Sequence, residues 1–317
     1  MDETIESEEI MLIEGFEIEN ENLIDNRFIL SKKIGEGLIS IVYRCYDIKL
    51  KKYLAIKLIR DLVLKKYSKS IEKEIFYLNK INDFNISSKL HHYSLEGKKW
   101  DFLTKRYEKK AYLAMELMEK GELFDLIASK KTFPVKIALF FFKSLINSVK
   151  ILHDLNIAHR DLKFENIVLD KNYNLKIIDF GFSTEIFNEK NEKIFHKDNC
   201  GTEKYRAPEL NENKPYFADK ADIFTLGVIL FVMLKGNQAF SKAIQSDKCY
   251  KYIYKEDYKT FWTIVKEDNI PIEAVEIINR MLCYNSVGRI SIEEIMKSEF
   301  YNGDGETKEN VKIYFDQ

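Results

Sequence analysis

The chain has 317 residues, of which 45% are hydrophobic and 32% charged, and its formal net charge is -1. This size and composition are typical of a globular protein that buries a sizeable core in one large domain or two lobes. The charge is uneven, because residues 1–26 carry ten acids and no base, which leaves 50 basic and 41 acidic residues in the rest. The basic excess favours anionic ligands such as nucleotides, but no nucleic-acid motif accompanies it. The apolar windows are short, so no membrane insertion is expected.

The N-terminal residues and the cysteines indicate where the protein works. Residues 1–26 predict an acidic, solvated extension, with docking on a partner or on the basic body of the chain as the alternative. The chain begins Met-Asp and shows no signal peptide. Its four cysteines stand far apart without a CxxC pair, which predicts free thiols in a reducing compartment. A cytoplasmic location is therefore expected, with the nucleus as an alternative.

A polar segment, His159–Asn166, follows an apolar helical run and precedes a short apolar strand. Within it, Asp161 stands two residues before Lys163 and five before Asn166. A carboxylate orients a hydroxyl and accepts its proton, a lysine balances phosphate charge, and an amide oxygen is a ligand for magnesium. The segment therefore predicts chemistry on a phosphate.

Three further motifs flank this segment in a fixed order. A glycine-rich hairpin with Gly35 and Gly37 precedes it, and such a hairpin brings backbone N–H groups close to phosphates. Asp179-Phe180-Gly181 follows a short apolar strand, eighteen residues after Asp161. Ala207-Pro208-Glu209 comes next, and Arg289 lies near the end of the chain.

This set of motifs resembles the eukaryotic serine/threonine protein kinases from about residue 28 to 301. The sequence around Met115 and in Gly121–Asp125 is most similar to that of the calcium/calmodulin-dependent (calcium-dependent kinase-like) group. The resemblance implies an α+β, bilobal kinase fold with a small β-rich N-lobe that has one main helix and a larger, mostly helical C-lobe. It divides the chain into an N-terminal extension (1–26), an N-lobe (27–117), a C-lobe (118–301) and a polar tail (302–317). The apolar pattern of Ile292–Phe300 predicts the last helix.

The resemblance also implies ATP and Mg²⁺ as ligands and assigns a role to each site residue. Asp161 would orient the acceptor hydroxyl, Lys163 would steady the γ-phosphate, and Thr202 would shape the floor beneath them. Lys57 would hold the α- and β-phosphates with Glu74 as its partner, or Glu72 as the fallback. Asn166 and Asp179 would hold the metal. The remaining nucleotide contacts would come from Ile34, Gly35, Gly37, Ser40, Val42, Ala55, Met115, Glu116, Met118, Glu122 and Val168.

Regulation and substrate choice follow from positions where this chain has features of its own. In relatives, the arginine that matches Arg160 often pairs with a phosphate on the activation segment. The phosphorylated residue usually lies four residues before the threonine that matches Thr202. Here that position is Asp198, so a fixed carboxylate is predicted to replace the phosphate, with a solvated Asp198 as the alternative. Asp222 would brace the catalytic loop, and Arg289 would pair with Glu209.

The predicted substrates are protein serines and threonines, at sites with upstream basic residues that Glu122 and Glu165 would select. One alternative is a pseudokinase scaffold that binds nucleotide without efficient transfer. This chain has all of the residues that such a protein would lack. Only Ser40 departs from the glycine-rich pattern. Another is a small-molecule kinase, against which Ala207-Pro208-Glu209 and Arg289 argue. No oligomeric state is predicted.

Overall fold

The computed structural model describes residues 11–13, 16–18, 23–101, 106–265 and 270–316, which form two compact units. The first contains the residues up to Ile71 together with Lys89–Leu117, and the second contains Glu72–Ser88 and the residues from Met118 onwards. The fold is α+β as predicted, because the first unit is mainly strands and the second mainly helices.

In its described residues, the first unit has eight strands and the beginning of a long helix. Its elements are β1 (Met11–Ile13), β2 (Phe16–Ile18), β3 (Leu23–Ile24), β4 (Phe28–Glu36), β5 (Ser40–Asp47), β6 (Lys52–Ile59), α1 (Asp61–Ile81, as far as Ile71), β7 (Leu90–Asp101) and β8 (Arg106–Glu116). β1 and β2 form a two-stranded antiparallel sheet, and the other six strands close into a barrel in the order β3-β4-β5-β6-β8-β7.

The barrel closes where β3 joins the long β7–β8 hairpin. Ile24 pairs with Lys99, and the amide of Asp25 donates to the carbonyl of Lys98 at 2.8 Å. The Asp25 carboxylate accepts from the amide of Lys98 and from the hydroxyl of Tyr112, both at 2.6 Å. Ile24 and Asp25 fall inside the predicted extension 1–26. Residues 1–10, 14–15 and 19–22 of this extension lie outside the described part of the chain. The predicted domain boundaries stay predictions.

Alternate residues of β6 point to the barrel core and to the outer face of the sheet. The barrel core contains the buried side chains of Leu54, Ile56 and Leu58. In the same core Phe28 and Tyr112 pack edge to face, with ring centroids 5.5 Å apart. The intervening Ala55 and Lys57 therefore point to the opposite face.

The second unit is mostly helical, with one small sheet. It contains the end of α1, then β9 (Gly121–Glu122), α2 (Leu123–Lys130), α3 (Val135–Asp154), β10 (Ile167–Leu169), β11 (Leu175–Ile177), α4 (Pro208–Asn211), α5 (Ala218–Lys235), α6 (Tyr250–Tyr254), α7 (Tyr258–Val265), α8 (Ile272–Met281), α9 (Ile292–Lys297), α10 (Glu299–Asn302) and α11 (Lys308–Asp316). Short 3-10 turns cover Phe164–Asn166, Phe180–Phe182 and Glu203–Tyr205.

Helix α5 is the centre of this unit. Its residues from Ala221 to Met233 are all buried, including the charged Asp222, so it is apolar on every side and packs against α3 and α8. A helix surrounded by others is a rigid support, and the side chain of Asp222 is held in place on it.

The C-terminal part of the chain differs from the sequence prediction. The expected last helix over Ile292–Phe300 is wrong, because α9 ends at Lys297 and α10 begins at Glu299, with Ser298 capping it. The predicted polar tail then contains a further helix, α11, with its Val311 fully buried. In the described ranges, no helix is both long and apolar enough to cross a bilayer.

Candidate active site

The loop between α3 and β10 carries the candidate catalytic residues, and Asp222 of α5 holds its backbone. One Asp222 carboxylate oxygen accepts from the amide of His159 and the other from the amide of Arg160, both at 2.8 Å. His153 of α3 contacts the same carboxylate at 3.0 Å. Arg160 has a φ of 66°, an uncommon value for a residue with a side chain, which these bonds stabilise. The predicted bracing by Asp222 is confirmed.

Asp161, Lys163 and Thr202 form a closed hydrogen-bonded cluster. The Thr202 hydroxyl donates to Asp161 Oδ1 at 2.8 Å, and Lys163 Nζ donates to Asp161 Oδ2 at 2.9 Å. Lys163 also lies 3.1 Å from the Thr202 hydroxyl oxygen. Asp161 is 5% exposed. The cluster thus contains a carboxylate that accepts hydrogen bonds from a hydroxyl and from an ammonium. A site for phosphoryl transfer needs a carboxylate to orient the acceptor hydroxyl and a cation to balance phosphate charge.

Gly201 brings Thr202 within reach of Asp161. Its φ is 82°, and a Cβ at this position would lie 2.5 Å from the carbonyl oxygen of Arg160. The two chain segments therefore approach so closely that a side chain at 201 would push them apart. Glycine is the residue that this contact requires.

The two candidate metal ligands lie on neighbouring segments of the second unit. The amide of Ile178, next to Asp179, donates to the backbone carbonyl of Asn166 at 3.0 Å. His159 joins them, with Nε2 3.1 Å from the carbonyl of Ile178 and its ring 5.0 Å from that of Phe180. Asp161 N lies 3.3 Å from His159 Nδ1, so this nitrogen accepts and Nε2 carries the proton. Asp179 itself has a φ of 65°.

The donor set fits a magnesium ion. Asn166 uses its amide nitrogen, which donates to the carbonyl and Oδ2 of Asp161 at 2.8 and 3.2 Å, and this leaves its amide oxygen to face a cation. A carboxylate and an amide oxygen are hard ligands, as magnesium prefers when phosphates complete its shell. The described residues hold no group of three or more His, Cys, Asp or Glu that would bind a metal alone. Any metal here would therefore depend on phosphate oxygens as well.

In the first unit, strand register collects the candidate nucleotide residues on the outer face of the sheet. Val42 of β5 lies opposite Lys57 of β6, and Ala55 lies opposite Met115 of β8. Directly opposed residues point to the same face, as do positions 55 and 57 on one strand. One patch of the outer face is therefore formed by Val42, Ala55, Lys57 and Met115. In this patch the lysine lies among apolar side chains. Glu116 follows Met115 at the end of β8.

The glycine-rich hairpin occupies the β4–β5 connection. Ile34 and Gly35 lie at the end of β4, and the amide of Gly37 donates to the carbonyl of Ser40 at 2.9 Å. Gly37 lacks a positive φ, and a Cβ there would make only an ordinary contact, 4.0 Å from the carbonyl oxygen of Ser40. The fold itself does not require glycine at this position, and the predicted close approach of a nucleotide stays a prediction. Ser40, which replaces the third glycine, is 7% exposed.

Helix α1 distinguishes the two candidate partners of Lys57. Glu74 is 4% exposed and lies on the same helix face as the buried Ile75 and Leu78, whereas Glu72 is exposed. The structure therefore favours Glu74 as a residue that faces inward. Lys57 belongs to the first unit and Glu74 to the second, so their pairing stays a prediction.

The remaining candidates lie on β9 and β10 of the second unit or just before β9. Glu122 is directly opposite Val168 in the sheet, and Met118 lies just before β9. Burial, followed by the charges of Asp125 and Glu165, raises the pKa of Glu122. Three carboxylates thus stand close enough to repel one another, and a cationic group nearby would stabilise them.

Arg160 contacts Asp198 as predicted. Its Nη1 donates to both carboxylate oxygens of Asp198 at 2.7 Å, and its Nε donates to the carbonyl of Phe182. Sequence analysis missed Tyr216, whose hydroxyl accepts from Arg160 Nη1 at 2.9 Å and donates to the carbonyl of Asp198 at 3.2 Å. No pattern in the sequence marks this tyrosine, since its role depends on folding next to Arg160.

The predicted pair of Arg289 and Glu209 is confirmed as a buried, two-pronged ion pair. Arg289 Nη1 and Nη2 donate to the two carboxylate oxygens at 2.8 and 3.0 Å, and the Arg289 side chain is fully buried. Further donation to the carbonyls of Lys220 and Cys283 satisfies the guanidinium. The pair joins α4 to the loop before α9.

Comparison with known proteins agrees with this geometry. Residues 28–301 match the family model described as "Protein kinase domain". The CBL-interacting serine/threonine-protein kinase 18 of Arabidopsis thaliana is 33% identical over 297 residues, which cover 93% of this chain and 52% of that protein. The CBL-interacting protein kinase 32 of Oryza sativa subsp. japonica is 32% identical over 277 residues, covering 87% and 59%.

A fungal protein is similar to the same extent. The carbon catabolite-derepressing protein kinase of Candida glabrata is 33% identical over 276 residues, which cover 86% of this chain and 41% of that kinase. The chain thus spans about half the length of the curated relatives it matches.

Proposed function

Because the chain belongs to the protein kinase domain family, we propose that it is a serine/threonine protein kinase, which transfers the γ-phosphate of ATP to protein hydroxyls. The observation that carries the proposal is the contact between Asp161 and the Thr202 hydroxyl at 2.8 Å. A substrate hydroxyl would make the same kind of hydrogen bond to this carboxylate. Lys163, two residues after Asp161, is the residue that the resemblance assigns to serine/threonine kinases.

In the proposed reaction, the oxygen of the acceptor hydroxyl bonds to the γ-phosphorus, and the bond from that phosphorus to the bridging oxygen breaks. ADP leaves with the electron pair, and the acceptor proton passes to Asp161. Lys163 donates to the transferred phosphoryl group and Lys57 to the α- and β-phosphates. Asn166 and Asp179 would hold a magnesium ion, which would supply positive charge to balance that of the phosphates.

Peptide phosphorylation tests this proposal. The purified chain, ATP and magnesium are mixed with a serine peptide that has arginines upstream, and phosphate transfer is compared with that of Lys57→Met and Asp161→Asn. Losing a positioned general base typically costs about 10²–10⁴-fold in rate. Both variants should remain folded, because asparagine keeps the shape of the Asp161 side chain and neither Asp161 nor Lys57 belongs to the apolar core. Nucleotide binding by the wild type without transfer would favour the pseudokinase alternative.

We also propose that the substrates carry basic residues before the target hydroxyl. Glu122, Asp125 and Glu165 form an acidic group, and among the described residues the buried oxygen Oε2 of Glu165 has no hydrogen-bond partner. A guanidinium or ammonium from a substrate would pair with these groups. Replacing the arginines of the test peptide by alanine should raise its KM, and an unchanged KM would contradict the preference.

Regulation by a built-in carboxylate is the third part of the proposal. Asp198 supplies a permanent negative charge to Arg160, so the segment before Thr202 is held without phosphorylation. In support, the only hydroxyl residues between Gly181 and Thr202 are Ser183 and Thr184. Ser183 is fully buried, which keeps a modifying enzyme from reaching it.

Two finer assignments stay proposals. Membership of the calcium/calmodulin-dependent group rests only on the sequence around Met115 and in Gly121–Asp125, since the relatives reported above carry other names. A reducing, cytoplasmic location is supported by the cysteines, none of which forms a disulfide. Burial raises the pKa of Cys45 to about 12, which keeps this thiol unreactive.

A further inference from the structure

Helix α11 is anchored in the second unit by aromatic packing. Phe315 lies against Phe133, Phe141 and Tyr173, with ring centroids 5.5, 6.0 and 5.6 Å away, and its ring is nearly parallel to that of Tyr173. Val311, one turn earlier, is fully buried. Spacing of i and i+4 puts both on one helix face. This apolar face packs α11 against the second unit.

The last residue of α11 contacts the segment that leads into β9. The Asp316 carboxylate accepts from Lys120 Nζ at 2.5 Å and from the Tyr173 hydroxyl at 2.7 Å. Lys120 also lies over the Tyr173 ring, 4.8 Å from its centroid. Earlier in the helix, Lys308 donates to Asn174 at 2.6 Å, so α11 contacts the β10–β11 turn at both ends.

That segment carries candidate nucleotide residues. The amide of Lys120 donates to the carbonyl of Leu169 at 3.1 Å, and Glu122 pairs with Val168 in the next register position. The β9–β10 ladder is only two residue pairs long, so it has little stability of its own. Lys120 is therefore a point at which α11 reaches the strands that hold Glu122 and Val168.

We infer that α11 is a positioning element for the nucleotide site, in which Phe315 anchors the helix and Asp316 holds Lys120 and Tyr173. Without α11, the β9–β10 ladder would open more often, and Glu122 and Val168 would be in place for a smaller fraction of the time. The consequence would be weaker ATP binding with little change in the chemical step. The inference rests on the proposed function, because it assigns these residues to a nucleotide.

The Lys120–Asp316 ion pair is exposed, with 31% and 51% of the two side chains accessible, so its own contribution is small. Losing the Phe315 anchor should have the larger effect. Residues that modulate coupling between parts of a protein change affinity between about twofold and thirtyfold, and Phe315→Ala should raise the KM for ATP within this range. Asp316→Asn should raise it less, in the same direction.

The test compares Phe315→Ala and Asp316→Asn with Ile313→Ala, a control on the same helix whose side chain is 56% exposed. Steady-state kinetics give kcat and the KM values for ATP and for a basic peptide. Hydrogen exchange of the Lys120 amide is measured on the same proteins without nucleotide. This second measurement does not depend on activity, and the conservative Asp316→Asn keeps the test valid if Phe315→Ala does not fold.

The expected result is a raised KM for ATP, a kcat and peptide KM close to wild type, and faster exchange at Lys120, with the control unchanged. Unchanged exchange at Lys120 in both variants would overturn the inference, as would a fall in kcat at an unaltered KM for ATP. If the wild type transfers no phosphate, the proposed function fails, and the exchange data alone decide whether α11 holds this segment.

Discussion

One guanidinium nitrogen of Arg160 contacts both carboxylate oxygens of Asp198 at 2.7 Å, within the segment that ends at Thr202. Tyr216 strengthens this contact, because its hydroxyl bonds to Arg160 and to the backbone carbonyl of Asp198. Asp198 is thus held by its side chain and its main chain together. Thr202, four residues later, donates to Asp161, and we therefore propose that the charge of Asp198 helps to hold Thr202 beside this carboxylate.

Asp198→Asn is expected to lower kcat for peptide phosphorylation by about tenfold, because charge-assisted hydrogen bonds are roughly twice as strong as neutral ones. The amide keeps the shape of the side chain but lacks the charge that pairs with Arg160. Phosphatase treatment of the wild type should leave kcat unchanged. The measurement is kcat at saturating ATP and peptide for both proteins.

Glu189→Gln is the matched control for Asp198→Asn, since Glu189 is an exposed acid of the same segment. It removes the same unit of charge and should leave kcat within error of the wild type. A wild type that becomes inactive on phosphatase treatment, together with an Asp198→Asn variant of full activity, would rule out the fixed-charge proposal.

The same pair predicts how stability depends on pH. Burial raises the pKa of Asp198, but hydrogen bonding to Arg160 and its charge outweigh this effect and hold the pKa below its ordinary value of 3.8. A lowered pKa in the folded state contributes stability above the unfolded pKa, and this is lost as the pH falls through the folded pKa. The difference in melting temperature between wild type and Asp198→Asn should therefore be constant from pH 7 to about 5 and shrink below about 4. A difference that grows on acidification would contradict this assignment.

Glu209→Gln is expected to destabilise the second unit, because it leaves the fully buried guanidinium of Arg289 without its counter-charge. Breaking a buried ion pair by changing one partner costs about 3–5 kcal/mol in free energy of unfolding. Arg280→Ala is the control, since its pair with Glu294 has both side chains 52% exposed and should contribute at most about 1 kcal/mol. Denaturant unfolding of the three proteins measures the difference, and equal losses would show that burial does not govern these pairs.

Much of the site could be predicted because its chemistry is written in short contiguous segments. Asp161, Lys163 and Asn166 stand within six residues of one another, so a local pattern is enough to identify them. Asp198 could be found by counting back from Thr202. Tyr216 could not, because its contact with Arg160 joins positions 56 residues apart and depends on the packing of both.

The fold could be predicted where the hydrophobic periodicity is strong. It was missed where contacts between residues far apart in the sequence determine the structure. The pairing of Ile24 with Lys99 closes the barrel, yet Leu23 and Ile24 stand beside a run of acids that resembles a solvated arm. Helix α11 has only two apolar anchors, Val311 and Phe315, in a polar stretch. Val311 is fully buried, and the partly buried Phe315 packs against Phe133, Phe141 and Tyr173, which come from elsewhere in the chain.

Gly201→Ala is expected to lower kcat strongly while leaving the unit folded. The φ of 82° costs a residue with a side chain about 1–2 kcal/mol, and the new Cβ would lie 2.5 Å from the carbonyl oxygen of Arg160. The chain must shift there, and the next residue, Thr202, then loses its contact with Asp161. Gly288→Ala is the control, because its Cβ would have only ordinary contacts near Asn285, at 3.8 Å or more. Kinetics and melting temperatures of both variants test this, and a Gly201→Ala enzyme with wild-type kcat would show that the close approach of the two segments is dispensable.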